Sequence, residues 1–512
     1  MTTWYFDAVN GLDANDGLTA ATAKQTYNPG ISAAGDTFLF KRGVTQVVTT
    51  TNQWVQNGIS ETSRSRYGAY GESQVPYSIW TYAASGNKIL SAAKTHWTDF
   101  EDMYFDMRNS DCRDALYIAA QGALAAYSIN VRRCFFQGSN RADYRSGNGL
   151  NIVQEITATA YPNDINIEDC EFFDNEEHGL FILGGRNITV RRCKFYRNGR
   201  YAVTGGHGFS SRYNYTTASS GWSQHSGAVW KKTLAAAEPD VYYIRSSHAS
   251  YPRVRRTASA ATTPGPGEYG VDTGILYINI GGDPTSQGVL YAWGRCCNLV
   301  IEDCESYDNY WNQAAPYHEG HGFAFDDFAD DSVFRRNKAY NNEGCGFSIN
   351  NGDRNQIISN IAYGNWQAAV VGNPCDGTQV KNNTFLNNNA GTGFHQGEII
   401  FHPNCRDAVI SNNIASGTSN YGIYTDPADT GHSGTKNCLH GFGTPDRNSV
   451  ATATITTDPA LDQRYRPWAA ECKRTGTYLG GKDHNGKQFY NPPNIGAVDD
   501  TTATARPLIA AR

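Results

Sequence analysis

Residues 317–331, YHEGHGFAFDDFADD, bring His318, Glu319, His321, Asp326, Asp327, Asp330 and Asp331 into one short stretch. Carboxyls at that density suit acid–base work on a glycosidic bond. One must protonate the leaving oxygen; a second must attack or activate water, about 5 Å away for retention and about 6.5–9.5 Å for inversion. Asp326 with Glu319 or Asp327 could meet either spacing, and His321 is expected to tune their protonation. The bland reading is a solvated acidic corner, or a calcium site that staples a turn. No cofactor is therefore required, Ca2+ is optional, and no metal ligand is assigned.

These residues need a scaffold, and the flanking pattern describes one. In HGFAFDDF the alternation turns Phe323 and Phe325 inward and the residue after them outward. The same reading of HGLFILG, HGFSSR, CGFSINN, EIIFHP and GIYTD yields an outward column. It runs Leu183, Arg212, Asp326, Asn350, a small residue near Gly372, His402 and Asp426. With Ile399 inward, Glu398 and His402 are expected to share the outward face. Arg212, Asn350, Asn351, His402, Glu398 and His318 are the expected substrate-holding groups.

The scaffold repeats. INVRRCFFQGSN, INIEDCEFFDNEEHGLFILG, ITVRRCKFYRNG, LVIEDCESYDNY, SVFRRNKAYNNEGCGFSI, QIISNIAYGN and TQVKNNTFLNNN share one marker position. It is held by Cys134, Cys170, Cys193, Cys304, Asn337, Asn360 and Asn383, and three of the separations are 23 residues. Period-two strands with Asn/Gly corners at that repeat length predict an all-β solenoid, the right-handed parallel β-helix. Propeller and leucine-rich consensus residues are missing. The expected layout is a cap and first rungs over 1–100, rungs over 101–212, an inserted small β-subdomain over 213–297, rungs over 298–440, and a closing segment over 441–512.

Composition narrows the function classes. The chain has 512 residues, 52 Gly, 12 Cys and a net charge of -6, which argues against nucleic acid or an anionic membrane as partner. Nothing approaches the roughly 20 apolar residues of a membrane-spanning helix. The opening MTTWYFDAVNGLDANDG has neither the basic nor the apolar region of a secretory signal, so no signal peptide is expected in this chain. The cysteines form no CxxC and read as buried packing groups.

On these repeats, together with WYFDAVNGLDANDGLTAATA and GDTFLFKRG near one end and DPALDQRY and GGKDHNGKQFYNPPNIGAV near the other, the chain resembles the right-handed parallel β-helix (pectate-lyase-like) family. That family includes bacterial polysaccharide lyases and phage tailspikes. GHGFAFDDF followed by NNEGCGFSINNG is similar to the active-site rungs of one calcium-dependent pectate lyase family. There a Lys base follows the strand and Asp residues bind calcium. Here Asp326 stands at the Lys position, and His321, Glu343, Cys345 and Ser348 stand at the calcium positions. The departure counts against that mechanism.

The resemblance implies a tailspike-type depolymerase cleaving a bacterial capsular or exopolysaccharide, and the carboxylate-rich stretch favours hydrolysis. The alternatives are β-elimination on a uronate polymer, with His402 or a Tyr as base and Arg212 neutralising the carboxylate, and a non-catalytic carbohydrate-binding or adhesion β-helix. The expected partner is a bacterial surface polysaccharide, met outside the cell by a phage virion tail or a secreted protein. No nucleic acid and no membrane insertion are expected. Relatives of the tailspike type imply a homotrimer.

Overall fold

The computed structural model describes residues 1–48, 53–72, 78–82, 88–108, 112–138, 147–155, 158–199, 209–212, 215–217, 220–234, 243–246, 253–256, 260–292, 296–310, 320–326, 329–389 and 397–499. The short alternating runs become strands that coil through three sheets in a fixed order. One rung is Asn163–Glu168, Glu171–Phe173 and Leu180–Leu183; the chain then returns to Gly185–Arg191, which pairs in parallel with Asn163–Glu168. Repetition builds sheets of 16, 12 and 12 strands, the right-handed parallel β-helix. Among the described residues the helical segments are three short 3-10 turns.

Inside the coil, like residues stack because the rungs are in register. Phe105, Phe136, Phe172 and Phe195 lie face to face at 4.8–5.0 Å between ring centroids, close to the spacing of paired strands. The marker position turns inward at the two-residue corner between the first and second sheets. Its backbone N–H donates to the side chain of the next rung. Cys134 donates to Sγ of Cys170 and Cys193 to Sγ of Cys304. Cys304 donates to Asn337, Asn337 to Asn360 and Asn360 to Asn383, at 2.8–3.0 Å to Oδ1. A second ladder, Asn175, Asn198, Asn309, Asn342, Asn365 and Asn388, runs along the next corner. All 12 cysteines are free and buried, and four of them stand in the marker column.

The described strands between 215 and 292 leave the coil and form a separate eight-stranded sheet with its own core, including Ile244, Val254, Tyr269, Leu276 and Ile278. The coil closes across this excursion. Arg191 of one rung pairs with Glu302 of the next.

Outside the first corner the charges alternate from rung to rung. The left-handed position holds Asp102, Arg133, Asp169, Arg192, Asp303 and Arg336, all at positive φ. Arg133–Asp102, Arg192–Asp169 and Arg336–Asp303 each meet at 2.7 Å. The preceding column alternates as well, and its Glu302 is gripped by Arg191, Arg335 and Arg336 at 2.5–2.7 Å. Burial alone would raise the Glu302 carboxyl. Its hydrogen bonds from Arg335 and Arg336, with the charge of Arg335, outweigh burial and hold it at about 2.

A carboxyl depressed in the folded state stabilises the fold above its unfolded value, and that gain is lost as pH falls toward the folded value. Glu302→Gln is therefore expected to lose on the order of 2–3 kcal/mol at pH 7 and to flatten stability between about pH 5 and 2. Denaturant unfolding at several pH values measures both; an unchanged pH slope would contradict the assignment.

Candidate active site on the third sheet

The three faces of the coil differ. First- and second-sheet strands alternate, with Tyr127–Arg132 and Glu171–Phe173 showing buried residues at every other position. Third-sheet strands Asp114–Ala120, Asn148–Gln154 and Gly397–Phe401 are buried at every position. Their outer side carries apolar groups, Ala93, Tyr117, Ala119 and Val153 in one cluster and Cys345, Ala368, Val371 and Ile400 in another. The connections that lead into this sheet also vary in length. Residues 174–179, 341–346 and 364–369 are short, whereas 138–147, 197–208, 308–322 and 387–396 are long. A rigid sheet fed by variable loops is where binding groups concentrate.

Register builds the outward column at the far end of this sheet. Leu183 pairs with Arg212, Phe325 with Ile349, Asn350 with Asn373, and Phe401 with Thr425. The column is therefore Leu183, Arg212, Asp326, Asn350, Asn373, His402 and Asp426. One place differs from expectation. Gly372 pairs with Ile349 and Phe401 on the inward side, where an added Cβ would lie 2.6 Å from the Phe401 ring. Glycine makes room for that ring, and exposed Asn373 takes the outward place.

Asp326 is 7% exposed, and Asn350 Nδ2 donates to its Oδ1 at 3.3 Å. Asn351 turns the corner at φ 58, donates its N–H to the Asn373 carbonyl at 2.7 Å, and donates Nδ2 to Asn350 Oδ1 at 3.1 Å. His402 is half-buried; burial lowers its pKa while Asp426 and Asp429 oppose that. Glu319, His318, Asp327 and the Arg212 side chain lie outside the described residues.

Two expected site residues serve the frame instead. His321 Nδ1 accepts the backbone N–H of Cys345 at 2.9 Å. It stands at the start of the strand whose end carries Asp326. Glu398 does not face the groove with His402. It is fully buried and closes the second ladder, accepting Asn388 N–H at 2.9 Å and Nδ2 at 2.8 Å. A carboxylate can accept both donors of the last amide, and no further Asn is then needed.

Asp330, in the acidic stretch but given no role from sequence, has the most distinctive environment. It is 8% exposed, and its Oδ1 accepts Asp353 N–H at 2.8 Å. Burial first, then the neighbouring Asp353 charge, raises its pKa to about 8. Arg354, the nearest cation, is turned to Asp331 at 2.6 Å and lies 3.7 Å from Asp330.

Sequence reasoning missed a second polar group, four rungs from Asp326 at the near end of the same sheet. Asn148 and Asn151 both donate Nδ2 to Asp114 Oδ1 at 3.1 Å. Lys88, opposite Asp114 in register, rests its ammonium 3.3 Å from the centre of the Tyr117 ring. Tyr117 and Gln121 donate to Glu155. The available signal was polar residues at matched positions of neighbouring strands.

A family model described as "Right handed beta helix region" matches residues 104–221 and 286–402. No curated protein matches the chain. Among solved structures, the native GH136 lacto-N-biosidase from Eubacterium ramulus superposes with a TM-score of 0.52 at 11% identity, covering 89% of this chain and 67% of that one. A complex of XylC with xylose gives 0.51 at 9% identity, covering 99% of each chain. Pectate lyase Pel9A gives 0.45 at 14% identity, covering 98% and 97%. At these identities the likeness is one of fold.

Burial raises the Glu398 pKa to about 7, against the opposing hydrogen bonds from Asn388. A carboxyl raised in the folded state costs stability as pH climbs from its unfolded value through the folded one. Glu398→Gln should remove on the order of 2–3 kcal/mol of stability loss between about pH 4.5 and 8. Thermal unfolding across that range measures it; a slope equal to the parent's would show that Glu398 does not titrate there.

Proposed function

We propose that this protein hydrolyses glycosidic bonds of a bacterial capsular or exopolysaccharide along the outward column at the far end of the third sheet. The reading rests on one observation: Asp330, a buried carboxyl that keeps its proton to about pH 8, follows Asp326 by four residues. Their Cα atoms are at most about 14 Å apart, which leaves both carboxyl spacings of glycoside hydrolysis within reach. Asp330 gives its proton to the leaving sugar oxygen. Asp326 either takes a proton from the attacking water or attacks the anomeric carbon itself, and water completes the second step. Asn350, Asn373 and His402 stand in the same column to hold hydroxyls. The β-helices solved as a lacto-N-biosidase and with xylose support a sugar as the ligand class.

Asp326→Asn and Asp330→Asn should each lower cleavage by about 10²–10⁴-fold, the usual yield of a positioned acid or base, while binding persists. The parent's kcat/KM should fall above about pH 8, as Asp330 loses the proton it must donate. Reducing-end assays on a panel of bacterial polysaccharides test this. Full activity in both variants would overturn the assignment. Products with the ultraviolet absorbance of unsaturated uronates would mean elimination. Binding without cleavage by the parent would mean an adhesin.

A further inference from the structure

The polar group at the near end of the third sheet has features that no structural role uses up. Asp114, Asn148 and Asn151 are each at most 1% exposed. Their amide nitrogens converge on a single oxygen, Asp114 Oδ1. That leaves Asp114 Oδ2, Asn148 Oδ1 and Asn151 Oδ1 as buried acceptors without a hydrogen bond among the described residues. The long contact from half-exposed Arg113 to Oδ2, 3.8 Å, is too far for one. Buried acceptors left unpaired are costly, so three together point to a donor that arrives from outside.

The donors available within the protein do not fill the gap. Lys88 lies on the Tyr117 ring, and burial lowers its pKa against the opposing charges of Asp114 and Glu155. Its ammonium makes no hydrogen bond among the described residues. Glu155 is met by the neutral donors Tyr117 and Gln121. Beside this group the outer face is apolar, with Ala93, Ala119, Val153 and Leu183 in one patch. Unfilled acceptors, one idle ammonium and an apolar strip together match a polyhydroxylated ring, which offers hydroxyl donors, oxygen acceptors and a C–H face. They do not match a divalent cation, because Lys88 and Arg113 already offset the charges of Asp114 and Glu155.

We infer that Lys88, Asp114, Asn148 and Asn151 form a distal glycan subsite, which makes the enzyme an internal cutter of long chains. The inference rests on cleavage occurring at the Asp326 column. Four rungs separate the two places, about 19 Å along the axis, and only a chain of several sugars spans that distance. Lys88, on its flexible stem, leaves the Tyr117 ring to meet a sugar oxygen, and the three acceptors, buried in the free protein, take sugar hydroxyls only with that movement.

The experiment uses the full chain, Lys88→Met and Asn151→Ala, with size-fractionated oligosaccharides from bacterial capsular and exopolysaccharides as probes. It reads kcat/KM for a decasaccharide relative to a trisaccharide. The parent ratio should exceed about ten-fold, the equivalent of one or two good hydrogen bonds, and should approach one in both variants. Thermal unfolding confirms that each variant is folded. If Asn151→Ala is not folded, Lys88→Met alone carries the test. A parent ratio near one, or a ratio untouched by either substitution while cleavage persists, overturns the distal subsite and leaves hydrolysis standing. If the parent cleaves no probe, the catalytic reading falls and the subsite falls with it.

Discussion

At each ladder corner a backbone N–H donates to the side chain of the next rung, and this contact sets the register of the whole coil. A buried inner face already resists a one-residue slip, and a side-chain acceptor at a fixed corner, which fits one neighbour only, adds to that. The Asn337–Asn360–Asn383 steps at 2.8 Å show the strong form of the contact, and the Cys134–Cys170 step at 3.4 Å its softer thiol form. With register fixed, phenylalanines stack inside, charges alternate outside the first corner, and Asp326, Asn350, Asn373 and His402 form a column. The candidate site is thus a consequence of the ladder.

The same constraint explains how polar residues divide between frame and function. A coil end or a widened rung breaks the run of identical amides, and a residue of different type must close it. Glu398 does so at the end of the second ladder, and His321 receives the Cys345 N–H where the third sheet begins. Both are ionisable, and Glu398 is fully buried. Asp330 also accepts a backbone N–H, but its carboxyl is raised by burial and then by the charge of Asp353, and its cation is turned away.

Much of this was legible in the sequence. The marker spacing gave the coil, because Cys and Asn are chemically distinctive at a corner otherwise made of common residues. Alternation placed Asp326, Asn350 and His402 in one column. It failed at Gly372, where a glycine under the Phe401 ring reads like a surface position, and at Glu398, where strict alternation does not hold beside a corner. The Lys88–Asp114 group was hidden because the corner before Asp114 holds Met103 where later rungs hold the Cys marker, and because DALYIAA reads as an apolar strand. Sequence shows which residues repeat; only register shows which of them touch.

If sugar lies along the outer face of the third sheet, a crystal structure of the Asp326→Asn variant soaked with an oligosaccharide that the parent cleaves will reveal it. Glycan density is then expected along the coil axis over this sheet, with a glycosidic oxygen beside Asp330 and sugar hydroxyls within hydrogen-bond reach of Asn350 and Asn373. Density confined to the first or second sheet, or to the inserted eight-stranded sheet, would contradict it.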